Sequence, residues 1–294
     1  MKRYKLDPRL AVVLSMGIFG TLGPFVRNIP VTSGELALYR AVLAALLIGG
    51  FLLATGQRIP FKTIGWGIPL LLLSGAAMGF NWILLFEAYR YTTVSTATLC
   101  YYFAPVLVTI ASPILFREKL GVKGILCFVM STLGIVLITG VGSLGGGQAF
   151  IGILFALGAA VLYATVVLMN KFIKSVDGIH RTFLQFLAAI AVLTPYVLLG
   201  SGITLGGMGA LGWVNLLTVG LVHTGISYCL YFTALKDLSG QQAAILSYVD
   251  PLVAVVISVA VLGEGIGPWQ ILGGILILGF TLFNEISPKK EKQI

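Results

Sequence analysis

Charged side chains are scarce in this chain. Asp, Glu, Lys and Arg make up 10% of its 294 residues, whereas they make up about a quarter of an ordinary soluble domain. Hydrophobic residues account for 58%, so a soluble fold of this composition would expose large apolar surfaces and aggregate. The scarcity of charge therefore excludes a soluble globular protein.

Cysteine and histidine are also rare. Cys100, Cys127 and Cys229 all lie in apolar segments, which argues against a disulfide framework or a thiolate metal site. His180 and His223 are far apart in the chain, and no residue pair at membrane depth resembles a metal ligand set or an activated nucleophile. We therefore expect no enzyme, no metal and no cofactor. Nucleotide-binding motifs are lacking too, so direct drive by ATP is not expected.

The 19 basic residues outnumber the 10 acidic ones, but they form short clusters between apolar stretches and no basic face. This pattern excludes a nucleic-acid partner and is typical of signals for membrane topology.

Ten apolar windows are long enough to cross a bilayer, which requires about 20 residues of helix. They lie near residues 10–26, 35–54, 65–87, 93–116, 122–139, 150–170, 182–199, 211–235, 241–262 and 268–285. The connections are short. With the N-terminus in the cytoplasm, sixteen of the 19 basic residues fall on the cytoplasmic side, Arg27 and Arg90 fall outside and Arg40 lies within a span. The positive-inside rule thus supports ten spans with both termini in the cytoplasm.

An internal repeat appears when the chain is shifted by 146 residues. The aligned pairs include Phe86 and Phe232, Ala97 and Ala243, Tyr102 and Tyr248, Pro105 and Pro251, Glu118 and Glu264, and Gly121 and Gly267. Each half then has five spans, and an odd number turns the second half upside down in the membrane. We predict an all-α membrane protein of two five-helix, inverted-topology repeats, residues 1–143 and 144–294.

The repeated pattern of a mid-span proline, a glutamate at the helix end and a following glycine resembles the drug/metabolite transporter superfamily, specifically its ten-helix EamA-like branch. Arg40 followed by Ala44 is similar to an arginine of that family in the second span. Arg117 replaces the usual glycine before Glu118, and Phe19 replaces a usual tryptophan before Gly20. The resemblance covers nearly the whole chain, and it implies solute transport without indicating the substrate.

Asp250 is the sharpest candidate for function. An ionisable group in mid-bilayer is costly unless it has a partner or faces water. Asp250 lies mid-span beside Pro251, and its counterpart in the first half is Ala104, which is uncharged. Proline interrupts the helical hydrogen bonds where a helix lines a cavity. The carboxylate could bind a cation, a substrate ammonium or a coupling proton, or it could only hydrogen-bond a neighbouring helix.

Two further ionisable residues lie within spans. His223 could exchange a proton and form a relay with Asp250 if spans 8 and 9 touch, or it could be a packing residue. Arg40 must pair with an anion or extend to the membrane interface. Its candidate partners are Glu35, Glu87 and a substrate carboxylate.

Polar and aromatic residues at similar depth could line a pocket for organic cations or rings, although Trp and Tyr also anchor helices at membrane interfaces. These candidates are Asn81, Trp82, Tyr101, Tyr102, Tyr228 and Tyr248, with Pro105 and Pro251 marking helix breaks. Glu118 and Glu264 are expected to cap the helices that follow them.

These observations predict a secondary transporter in the plasma membrane, a monomer or a homodimer. Its expected substrate is an amino acid or organic amine, exported with coupling to a proton or to a gradient. Spans 1 to 4 and 6 to 9 are expected to surround the site, with spans 5 and 10 behind. A carrier of neutral sugars or nucleosides and a lipid flippase are the alternatives.

Overall fold

The computed structural model describes residues 6–59, 65, 67–116, 121–139, 147–173, 176, 178–238 and 240–286. Throughout these residues the regular secondary structure is helical. Ten long elements follow one another: α1 (Pro8–Arg27), α2 (Ser33–Ala54), α3 (Gly67–Tyr91), α4 (Val94–Phe116), α5 (Val122–Thr139), α6 (Gln148–Phe172), α7 (Gly178–Leu199), α8 (Ala210–Leu235), α9 (240–260) and α10 (Pro268–Ile286). A short 3₁₀ helix, Leu205–Gly207, lies between α7 and α8. Within the described ranges, nine of the ten elements are long and apolar enough to cross a membrane. The predicted all-α membrane fold is confirmed.

The ninth element, α9, is interrupted. It consists of Gly240–Ser247 and Val249–Ala260, and α4 is divided in the same way into Val94–Tyr101 and Ala104–Phe116. Pro105 and Pro251 each occupy the first turn of the second half-helix, where a missing N–H disrupts no helical bond. The two interruptions are equivalent under the 146-residue shift.

The first helix is interrupted as well, at Thr21, between Pro8–Gly20 and Leu22–Arg27. Its N-terminus is capped by Asp7, whose carboxylate accepts from the Arg9 backbone N–H at 2.8 Å. Capping satisfies amide groups that have no partner inside the helix. The break at Thr21 divides α1 where it packs against α8 and α9.

The middle of α8, Thr218–Ile226, is a π-helix. Its wider turns allow the Thr224 hydroxyl to donate to the Val219 carbonyl, five residues earlier, at 2.8 Å. Segments of this kind are rare and are often found at functional sites. Neither hydropathy nor charge indicated it, because a π turn changes the hydrogen-bond pattern and not the composition.

Several helices touch backbone to backbone at glycine. A Cβ on Gly20 of α1 would lie 2.6 Å from the Asp250 carbonyl oxygen of α9. At the contact between α5 and α10, a Cβ on Gly134 would lie 2.6 Å from the Gly273 carbonyl oxygen, and one on Gly273 would lie 2.5 Å from that of Gly134. Small residues at such contacts are what helix packing in a bilayer requires.

Large apolar side chains cover the outside of the bundle. Leu53, Ile114 and Leu199 are 85%, 78% and 89% exposed, as expected for a surface that faces hydrocarbon. The predicted boundary between the repeats, at residues 143 and 144, lies outside the described residues, as does Glu118, so both remain predictions.

Candidate functional site

A cavity of about 570 Å³ lies among the helices. Of the described helices, α7 alone adds no side chain to its wall, since α7 packs against α2 and α3 on the outside. α5 and α10 do reach the wall, through Lys123 and Glu285 among others. The expected arrangement, with α7 in the wall and α5 and α10 behind it, is therefore wrong for these three helices.

Asp250 lies in the cavity wall, in the first turn of the second half of α9. The hydroxyl of Tyr102, at the break in α4, donates to its Oδ2 at 2.7 Å. The N-terminus of a helix favours a negative charge, so the break in α9 provides a suitable place for a carboxylate. The two interrupted helices thus meet at the predicted acid.

Arg40 of α2 also lines the cavity, although its residue surface is only 4% exposed. Its Nε donates to the Thr224 hydroxyl in the π-helical part of α8 at 2.7 Å. The guanidinium carbon lies 4.5 Å from the centre of the Trp82 ring and 5.6 Å from that of Phe86. Asp250 and Arg40 form no salt bridge within 4.0 Å, so opposite charges occupy separate places in one wall.

Aromatic rings form much of the remaining wall. Six of the tyrosines that line it are Tyr101, Tyr102, Tyr163, Tyr228, Tyr231 and Tyr248. The rings of four of them, Tyr101, Tyr102, Tyr163 and Tyr248, contact one another edge to face or at a tilt. The centres of Tyr101 and Tyr102 are 6.1 Å apart and those of Tyr101 and Tyr163 are 5.5 Å apart. Such rings offer both a face for cations and apolar groups and a hydroxyl for hydrogen bonding.

The wall contains Arg40, Trp82, Tyr101, Tyr102, Tyr228, Tyr248, Asp250 and Pro105 from the predicted set. Asn81 and Pro251 do not line it. Asn81 is buried and donates its side-chain amide to the Ala159 carbonyl of α6 at 2.6 Å. It therefore joins α3 to α6, which is the packing role that a polar residue often has inside a bundle.

His223 is buried beside the break in α1 and does not line the cavity. Its Nε2 lies 3.0 Å from the Thr21 hydroxyl, and its Nδ1 lies 3.2 Å from the Thr218 carbonyl oxygen. Its ring centre is 4.7 Å from that of Phe25. The imidazole thus holds α8 to the break in α1 and shares no hydrogen bond with Asp250 among the described residues.

Glu264 closes one end of the bundle. We call this end, which holds Arg27 and the start of α4, the outer end, following the predicted topology, and the opposite end the inner end. The carboxylate of Glu264 pairs with Arg27, accepts from the Ser258 hydroxyl and accepts from the Val94 backbone N–H at 2.8 Å. These contacts tie α1, α4 and α9 together.

The role expected for Glu264 therefore needs correction. The residue was predicted to cap α10, the helix that follows it, whereas it caps the N-terminus of α4 in the other half of the chain. The start of α10 is served instead by Gln270, whose Oε1 accepts from the Gly267 N–H at 2.8 Å. An exposed amide group at a helix start and its positive dipole attract the nearest carboxylate in space, which need not be nearest in sequence.

The inner end of the wall carries charged side chains, Lys123, Lys171 and Glu285. Lys171 donates to the Ser112 hydroxyl at 3.0 Å and lies 4.9 Å from the centre of the Phe116 ring. The cavity therefore extends from the buried Arg40 and Asp250 towards the basic end of the bundle.

Sequence reasoning missed Tyr163 and Lys171 as wall residues. Tyr163 is a mid-span tyrosine, like the ones predicted to line a pocket, and that signal could have found it. Lys171 lies at the end of a span, where lysine is ordinarily a topology signal. That its side chain reaches the cavity depends on how the helices pack, which the sequence does not indicate.

Comparisons with known proteins agree with this architecture. The family model of EamA-like transporters matches residues 9–140 and again 150–284. Uncharacterized transporter YxxF of Bacillus subtilis is 33% identical over 273 residues, which cover 91% of this chain and 86% of that protein. An uncharacterized transporter of Archaeoglobus fulgidus is 30% identical over 276 residues, covering 92% and 94%. A solved structure with a TM-score of 0.65 and 18% identity covers 93% of this chain and 95% of that one, and shows the fold alone.

Proposed function

The chain belongs to the EamA-like transporter family, and on this premise we propose that it is a secondary active transporter for a small metabolite that carries an amino group. The proposed class comprises amino acids and organic amines. The protein acts in the plasma membrane, with both termini in the cytoplasm, and it moves its substrate outward.

The single observation that supports an amine is the position of Asp250 in the cavity wall. Asp250 contacts Tyr102 of α4 and shares the wall with tyrosines of α6 and α8. An ammonium group next to a carboxylate and over aromatic faces gains from both contacts, because each is stronger when water is excluded. A neutral substrate would bring no opposite charge to that carboxylate.

The two ends of the bundle fit the loading step of the proposed export. Glu264 and its partners join α1, α4 and α9 at the outer end, while the cavity wall extends to the inner end. Under the proposed topology the site loads from the cytoplasm. Release on the other side requires the Glu264 contacts to separate, and a proton or solute gradient provides the driving force.

A carrier of neutral sugars or nucleosides is the second candidate, favoured by the tyrosine hydroxyls in the wall. In that case Asp250 accepts hydrogen bonds from hydroxyl groups, and the aromatic rings stack on an apolar sugar or base face. The two candidates differ in one respect, which is whether a positive charge on the solute is required.

Uptake into liposomes that contain the purified protein tests the proposal. A panel of amino acids, amines, sugars and nucleosides is compared with and without a pH gradient. We expect the best substrate to carry an amine, and Asp250→Asn to reduce its transport at least about tenfold, which matches the loss of one hydrogen bond to a charged group.

Asp237→Asn is the matched control, since Asp237 is an exposed carboxylate beyond the end of α8 and should transport like the parent protein. Uptake of sugars or nucleosides alone, or full activity and unchanged pH dependence in Asp250→Asn, would contradict the proposal.

A further inference from the structure

Arg40 is a buried cation without a carboxylate partner among the described residues. Of its guanidinium nitrogens, Nε alone has a hydrogen-bond partner there, the Thr224 hydroxyl at 2.7 Å. The two acids that the sequence suggested as partners are engaged elsewhere. Glu35 accepts from the Thr204 backbone N–H at 2.6 Å, and Glu87 pairs with Arg90 at 3.3 Å.

A guanidinium in this position is expensive. Arginine stays charged at any physiological pH, and a charge within a membrane costs several kcal/mol unless an opposite charge or water satisfies it. The rings of Trp82 and Phe86 offset part of this cost through cation–π contacts, of order 1 kcal/mol each. The remainder requires an anion or water from the cavity that Arg40 lines.

The anchoring of Arg40 leaves its charged end available for recognition. Thr224 holds Nε, and the Trp82 ring covers the guanidinium. The two terminal nitrogens have no partner among the described residues, and together they form the flat donor pair that matches the two oxygens of a carboxylate. Lysine, a point charge on a flexible stem, would not present this geometry.

Asp250 provides the negative charge of the same cavity, and it lies too far from Arg40 for the two side chains to form a salt bridge. We propose that Arg40 binds the carboxylate of the transported solute while Asp250 binds its ammonium group, so that the substrate is a zwitterion of the amino-acid type. This inference rests on the proposed function and narrows it, because organic amines without an acid group are excluded.

Charge balance is the reason for the selectivity. A zwitterion is neutral as a whole and satisfies both poles, so neither Arg40 nor Asp250 is left unpaired in the loaded cavity. A decarboxylated amine leaves Arg40 unpaired, and a deaminated acid leaves Asp250 unpaired. A ligand that leaves a buried polar group of its site unsatisfied is rejected strongly, by as much as about 10⁴-fold to 10⁵-fold.

The test uses the full-length protein in liposomes loaded with the amino acid that the uptake panel ranks first. Four external probes compete for exchange: that amino acid, its carboxamide, its decarboxylated amine and the corresponding acid without the amino group. The readout is the ratio of the inhibition constants for carboxamide and amino acid. We expect a ratio of about 10 to 100 in the parent protein, as for the loss of a charged hydrogen-bonding partner.

The variants separate recognition from folding. Arg40→Gln should bring the ratio close to 1, and Arg40→Lys, which keeps the charge, should give an intermediate value. Asp250→Asn should keep the preference for a carboxylate and lose the preference for an amine. Arg181→Gln is the matched control, since Arg181 of α7 bonds to the Ile173 carbonyl at 3.3 Å, away from the cavity, and the ratio should stay that of the parent.

The outcomes of the two proposals are distinct. If no amine-containing solute is exchanged, the proposed function fails. If amines are exchanged but the carboxamide competes as well as the amino acid, or if Arg40→Lys and Arg40→Gln both keep the parental ratio, the function stands and the role of Arg40 is overturned. Should Arg40→Gln not fold, the ratios of inhibition constants in the parent protein and in Arg40→Lys still decide whether Arg40 recognises the carboxylate.

Discussion

Tyr102 and Tyr248 occupy equivalent places in the two halves of the chain, and their ring centres lie 6.4 Å apart in the cavity wall. Each follows the first half-helix of an interrupted span. The repeat therefore brings its two copies of one tyrosine together at the centre of the bundle. Asp250 follows the second copy by two residues, and Ala104 holds the corresponding place after the first, so the charge is added to one half alone.

Removing the Tyr102 hydroxyl should weaken the site. Tyr102→Phe takes away the hydrogen bond of 2.7 Å to Asp250, while the ring that packs in the wall remains. We expect the KM of the best substrate to rise by about tenfold, as for the loss of one hydrogen bond to a charged group. The pH profile of uptake should also shift, because the Asp250 carboxylate loses a hydrogen-bond donor. Tyr196→Phe, at an exposed ring outside the cavity, should leave both unchanged. Parental kinetics in Tyr102→Phe would show that the bond does not tune the carboxylate.

The outer end should loosen when Glu264 loses its charge. Glu264→Gln keeps the shape but weakens the pair with Arg27 and the cap on α4. We expect a cysteine placed at Tyr101, in a background without the native cysteines, to react several-fold faster with a membrane-impermeant maleimide added from outside. Glu87→Gln, which affects a partly exposed pair with Arg90, serves as the control and should not raise the rate. Equal rates in both variants would argue against a closing role for Glu264.

Gly20 should tolerate no side chain. A Cβ there would lie 2.6 Å from both the Asp250 carbonyl oxygen and the Val253 Cβ, so Gly20→Ala should destabilise the protein by about 1 to 3 kcal/mol, the usual cost of overpacking. The melting temperature in detergent measures this effect. Gly17→Ala, one turn earlier with no atom within 4 Å of the added Cβ, should melt like the parent. Alanine has a higher helix propensity than glycine, so a similar loss in both variants would mean that the contact of Gly20 with α9 is not its cause.

His223 should matter for stability more than for proton coupling. His223→Leu removes the polar contacts with Thr21 and Thr218, and each lost hydrogen bond costs about 0.5 to 1.5 kcal/mol. The Thr21 hydroxyl keeps its bond to the Ile18 carbonyl at 2.8 Å. We expect a lower melting temperature, with a pH dependence of transport that still follows the parent. If the pH dependence vanished in His223→Leu, as we expect it to in Asp250→Asn, the relay between these residues that the sequence suggested would be supported instead.

Much of the fold could be predicted from the sequence, because each helix is indicated by the composition of its own segment and loops. Ten apolar windows, alternating basic loops and a gap-free repeat each report on local composition, and the helices found match the predicted spans to within a few residues. The breaks in α4 and α9 were also indicated, since proline acts on its own helix. The π-helix in α8 was not, because nothing in its composition distinguishes it from an α-helix.

Partners across helices were predicted poorly, for a related reason. The sequence predicts Glu35, Glu87 or a solute carboxylate as the partner of Arg40, whereas in the structure Arg40 contacts Thr224 and Trp82. Glu264 was assigned to the next helix and caps α4 of the other half. Such pairings depend on the rotation of each helix about its axis, which small residues at the contacts set in three dimensions.

By itself, the sequence determined that this protein is a bundle of apolar helices in two inverted repeats, because hydrophobicity and loop charge act on each segment separately. It also determined which ionisable residues lie deep in the bundle. Only the tertiary structure decided that Asp250 and Arg40 share one cavity while His223 does not. Depth in the membrane follows from position along a helix, whereas direction towards a common cavity follows from how ten helices pack together.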